Sequence, residues 1–173
     1  MIKALLTLAL GASTAAAAAA PSPLQHIRID AGGVDVELID VPPDTPPELS
    51  YRAQGTCQPE VEITTVGEVL QARHLKSCHG KGDHEGTVFT LRLSAQSSFS
   101  LELGAGGVRI SGGMAQYKRI DLAVKVGGIH NHRRDLALER RRPFLVGAAA
   151  SLQRDTGEQA MQVALTYGGI SLY

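Results

Sequence analysis

A pair of glycines set between two alternating apolar runs recurs along this chain, and it constrains the fold more than any other feature. It reads IRIDAGGVDV at 27–36, LELGAGGVRI at 101–110, LAVKVGGIHN at 122–131 and VALTYGGISL at 163–172, with a worn copy, FLVGAAAS, at 144–151. Counted from the first glycine, apolar residues recur at −5, −3, +2 and +4. Ile27, Ile29, Val34 and Val36 fill these places, as do Leu101, Leu103, Val108 and Ile110, and again Val163, Leu165, Ile170 and Leu172. The copy at 122–131 fills three, with Asn131 in the last, and the worn copy keeps Phe144 and Ala149. Alternation on each side is the strand pattern. The step from −3 to +2 is odd, so a straight strand would turn its second apolar set away from the first. Both sets reach one core only if the chain bends at the glycines, which adopt positive φ without steric cost. Each copy is expected to be strand, glycine corner, strand.

The first glycines of the later copies fall at 106, 127, 147 and 168, in steps of 21, 20 and 21. A fixed period near 20 residues is the mark of a solenoid, whose rungs share one core and lie about 4.8 Å apart. Gly32 precedes Gly106 by 74 residues, no simple multiple, and its copy is assigned to an N-terminal β segment that need not stack in register. Strands are also expected at 49–54, 60–65, 69–74 and 87–93, with a stiff proline-rich connector at 41–48 and a loop at 76–86. The stretch 133–142 suits either two helical turns or a strand, and no long amphipathic helix follows Pro21. The expected fold class is all-β: a β-solenoid or β-helix-like stack of about four short rungs with an N-terminal β segment. Tyr173 follows directly on the last copy. That terminal rung is expected either to be capped by the N-terminal segment or to self-associate edge to edge.

The opening MIKALLTLALGASTAAAAAA has the positive start, short apolar stretch and small residues of a secretory signal peptide, residues 1–20. Its Leu-rich part is about half the roughly 20 apolar residues of a spanning helix, so no transmembrane anchor is expected. The remainder, 21–173, has the length of a single domain, and the repeat region occupies about 101–173. Export to the periplasm or beyond would place the only two cysteines, Cys57 and Cys78, where a disulfide forms. With 17 basic and 17 acidic residues the chain lacks the basic excess of a nucleic-acid binder.

No catalytic residues, and no cofactor, are assigned. Gly104–Arg109 lacks the last glycine of a dinucleotide loop, His84-Glu85 has no second zincin histidine, and Ser111 is not in a nucleophile elbow. Two histidine groups are the metal-ligand candidates. His74, His79 and His84 surround Cys78 beside Asp83 and Glu85, while His130 and His132 flank Asn131 and are expected to point outward from one strand, with Asp135 as a third ligand. Arg133, Arg134, Arg140, Arg141 and Arg142 form a basic cluster able to hold an anionic lipid head or polysaccharide. Glu60 and Glu62 share one strand face and are expected to face solvent.

In its opening IRIDAGGVDVELI, its VFTLRLSAQSSFSLELGAGGVRISG unit and its LAVKVGGIHNH unit, the chain resembles the bacterial putative-adhesin domain, a domain of unknown function related to the head GIN domain. The likeness covers about 27–173 and is poorest at 57–84; the family's usual Gly-Asp is Gly-Gly here. The resemblance implies a β-helix-like fold and export, and brings no catalytic residues. The resulting expectation is an exported, non-enzymatic protein interacting with an envelope or surface partner. The alternative is a small periplasmic binding protein for a metal ion or an anionic polysaccharide or lipid.

Overall fold

The structure, a computed structural model, describes residues 24–56, 58–76, 86–142 and 146–173. Their regular structure is all strand: β1 (Gln25–Ile39), β2 (Glu48–Gln54), β3 (Glu60–Val66), β4 (Val69–Lys76), β5 (Gly86–Ser94), β6 (Phe99–Gly112), β7 (Tyr117–Asn131), β8 (Glu139–Arg141), β9 (Ala148–Gln153) and β10 (Gln159–Leu172). They form one open mixed sheet, with no helix among the described residues. The middle strands fall within two residues of their expected bounds. The stretch 133–142 yields only the three-residue β8.

Four long parallel strands, in the order β1–β6–β10–β7, carry the complete glycine doublets. Gly32 lies opposite Gly106, Gly106 opposite Gly168, and Gly168 opposite Gly127. All four have positive φ, between +128° and +138°, so they form a continuous row of left-handed backbone. A Cβ on Gly106 would overlap the carbonyl oxygen of Gly32, one on Gly168 that of Gly106, and one on Gly127 that of Gly168. The strands bend together there. Ile29, Leu103, Leu165 and Val124 before the corner, and Val34, Val108, Ile170 and Ile129 after it, all enter one buried cluster. The odd step across the doublet is thus resolved as the residues require.

Two expectations are corrected, and one point that the spacing left open is decided. The glycine copy at Gly32, free by its spacing to lie out of register, pairs in register with that at Gly106. The worn copy does not form a rung, because β9 runs antiparallel to β7 and reaches only Arg119–Val124, before the corner. It lacks the second glycine and the large inward residues a bend would bury. The strand of the last copy, expected to be capped by the N-terminal segment or to self-associate, lies between β6 and β7 and is hydrogen-bonded to both. The terminal rung is therefore central. Self-association through it has no free edge to use.

Two-stranded units flank the stack. Along β1, β4 pairs with His26–Ile29 and carries β3, while β5 pairs with Gly33–Ile39 and carries β2. Along β7, β9 covers the first half and carries β8. Over Gly128–Asn131 the outer edge of β7 has no strand partner among the described residues.

Connecting segments close the core. Phe99 and Tyr117 meet edge to face at 6.1 Å, and Met114 and Leu136 are buried from irregular segments. The Tyr117 hydroxyl donates to the Ser97 carbonyl at 3.1 Å. Burial pushes this phenol above its ordinary pKa. The unfolded chain releases that proton near pH 10 while the folded protein retains it, so stability falls as pH rises beyond about 10. Tyr117→Phe is expected to lose about 1 kcal/mol at neutral pH, from the missing hydrogen bond. It should also decline less steeply than the wild type in urea titrations between about pH 9.5 and 11.5.

Candidate functional site

A connected polar group lies where the edge of β1 passes from one partner to another. β4 stops pairing with β1 at Ile29 and β5 begins at Gly33. His74, from β4, fills this fork. Its backbone N–H donates to Asp30 Oδ2 at 2.7 Å, its ring Nδ1 is 2.7 Å from Asp30 Oδ1, and its Nε2 is 2.8 Å from Thr87 Oγ1. In the neutral ring Nδ1–H donates to the carboxylate and Nε2 accepts the Thr87 hydroxyl hydrogen. The Phe89 ring meets the imidazole edge to face at 5.9 Å.

Asp30 also accepts the Ala31 N–H at 2.7 Å. Desolvation opposes its charge, but the hydrogen bonds from the His74 N–H, the His74 ring and the Ala31 N–H hold its carboxyl below the usual carboxylate range. Hydroxyl, imidazole and carboxylate stand in the order used for acyl transfer. Here, though, Thr87 is only 5% exposed, and its carbonyl packs against the Gly32 corner. The arrangement as it stands satisfies the polar groups of the fork. Sequence reading singled out His74 but missed Asp30 and Thr87. They lie 44 and 13 residues from it, and no spacing signals the association.

The metal-ligand candidates are dispersed. Both ring nitrogens of His74 are engaged in the fork. His130 is exposed on β7, whereas His132 lies just past the strand and stacks on Tyr173 at 4.7 Å. Asp135, the proposed third ligand, is held by Arg133, whose Nε and Nη2 donate to its two carboxylate oxygens at 3.0 and 2.7 Å. These bonds from Arg133 hold the Asp135 carboxyl below its usual range. Among the described residues no three His, Cys, Asp or Glu side chains gather as a metal site. His79, His84 and both cysteines, with the proposed signal peptide, lie outside the described residues.

The arginine cluster also divides. Arg133 donates from Nη1 to the carbonyls of Gly112, at 2.6 Å, and Tyr173, at 3.2 Å, tying together the ends of β6 and β10. It is a structural clamp. Arg140 lies opposite the buried Ala150, on the inward register of edge strand β8, while Arg141 shares the outward face with Glu139. An inward charge of this kind discourages further strand pairing. Arg134, Arg140, Arg141 and Arg142 are all exposed. Glu60 and Glu62 face solvent, and Glu62 pairs with Arg73 at 3.2 Å.

The outer corner carries a compact apolar surface. Tyr167 and Val126 are in register and 57% and 40% exposed. Val146, 63% exposed, stands beside them and accepts the Gly127 N–H through its carbonyl.

No family model and no curated protein matches the chain. Among solved structures it is similar to a putative cell adhesion protein from Clostridium sporogenes, with 9% identity and a TM-score of 0.37, over 88% of this chain and 94% of that one.

Proposed function

We propose that this is an exported, non-enzymatic surface-interaction protein, in which the glycine-cornered stack is a β-helix-like scaffold presenting its outer corner to an envelope partner. The observation that supports this reading is the exposed group Tyr167, Val126 and Val146 at the corner, next to the outer edge of β7 that has no strand partner among the described residues. A large aromatic and two branched aliphatics kept in water on a rigid bend are unfavourable for the isolated protein and suit contact with a partner. Self-association would use this edge of β7 in place of β10.

The test is sedimentation of the labelled protein with isolated cell envelopes. Tyr167→Ser combined with Val126→Ser is expected to reduce retention by about tenfold with folding unchanged, the loss of anchors of this kind. Equal retention of wild type and variant overturns the assignment to this corner. The alternative, capture of an anionic polysaccharide or lipid by the basic cluster, of which Arg134, Arg140, Arg141 and Arg142 are exposed, requires retention to fall steeply with salt.

A further inference from the structure

We infer that the β3–β4 hairpin is a cover that opens as a unit from the first half of β1, with His74 as its bolt. The hairpin is held to the sheet by one short ladder. Among the described residues β3 pairs only with β4, and β4 meets the body along four register positions, His26–Val69 to Ile29–Ala72. Of its side chains only Ala72 is buried in the core, with Val61, Ile63 and Leu70 half-buried against it, whereas Val66 and Leu75 are exposed. Most of the remaining attachment passes through His74, which bonds to β1 through Asp30 and to β5 through Thr87.

Opening leaves the four doublet strands paired. β1 remains paired with β6 from Gln25 to Leu38 and with β5 from Gly33 to Ile39, so the glycine row is undisturbed. What opening bares is the parallel-pairing edge of β1 at His26–Ile29. Segments with few buried apolar contacts and few anchoring bonds open below the cost of global unfolding. Breaking the relay costs more than one ordinary hydrogen bond, because it would strand the Thr87 hydroxyl and the Asp30 carboxylate in a partly desolvated fork. The relay sets how often the hairpin opens.

Hydrogen exchange followed by mass spectrometry on the full chain tests this. In the wild type, amides of 61–75 are expected to exchange faster than those of 101–111 and 161–172. In His74→Ala they should exchange at least about tenfold faster still, with the stack unchanged. Thr87→Val, which removes one bond, should give a smaller acceleration in the same segment, and Thr87→Ser should restore protection. If His74→Ala does not fold, the valine and serine variants carry the test. Equal protection of hairpin and stack in the wild type, or acceleration spread evenly over all strands, overturns the inference.

Discussion

Gly168→Ala is expected to destabilise the protein by at least about 4 kcal/mol, enough to leave little folded chain at room temperature. Two costs act together. The backbone at 168 has φ +132°, which a residue with a Cβ adopts only under strain. The new methyl group would also overlap the Gly106 carbonyl oxygen, backbone held in register by β6 and unable to yield alone. Its neighbour supplies the control. At Gly169 φ is not in the left-handed region, and the nearest atom to an added Cβ is the Gly128 carbonyl oxygen at 3.6 Å, an ordinary contact. Gly169→Ala should therefore lie within about 1 kcal/mol of wild type, since alanine also restricts the unfolded chain. Urea midpoints for the pair decide the matter. Similar losses in both would mean that the corner is not set by the first glycine of the doublet.

Removing residues 163–173 is expected to abolish the cooperative transition altogether. Val163, Leu165, Ile170 and Leu172 are all buried in the central cluster. At about 1.5–3 kcal/mol each, their loss rivals the whole stability of a typical domain, about 5–15 kcal/mol. β6 and β7 would lose their shared partner as well. Circular dichroism and urea titration of the shortened chain check this. A folded, cooperative product would show that β6 and β7 can close over the gap.

The core was legible because burial here follows position within a repeated motif. The places at −5, −3, +2 and +4 named Leu103, Val124 and Leu165, and these share one cluster in register. Asn131, the polar residue in an apolar slot, bonds locally: its side chain donates to the Leu136 carbonyl at 2.8 Å and accepts the Arg133 N–H at 3.0 Å. The order of the rungs was not legible. Copies with the same pattern satisfy one another equally well, so periodicity says how many strands of a kind exist and not which are neighbours. The fork at His74 escaped for another reason. Asp30 and Thr87 are ordinary surface residue types until the pairing of β1 changes hands between Ile29 and Gly33 and leaves polar groups that need partners. Arg140 and Arg141 alternate faces along β8, which a run of basic residues in the sequence does not reveal.

The central place of β10 also has a consequence in time. Its pairing with β6 joins residues 62 apart, and that of β1 with β6 joins residues 74 apart, so the architecture assembles through distant closures and folds slowly. During synthesis β6 and β7 are complete before β10 exists, and each carries an edge patterned to accept a doublet strand. Pairing between them is the nearest misassembly available, and any that forms has to separate before β10 can take its seat.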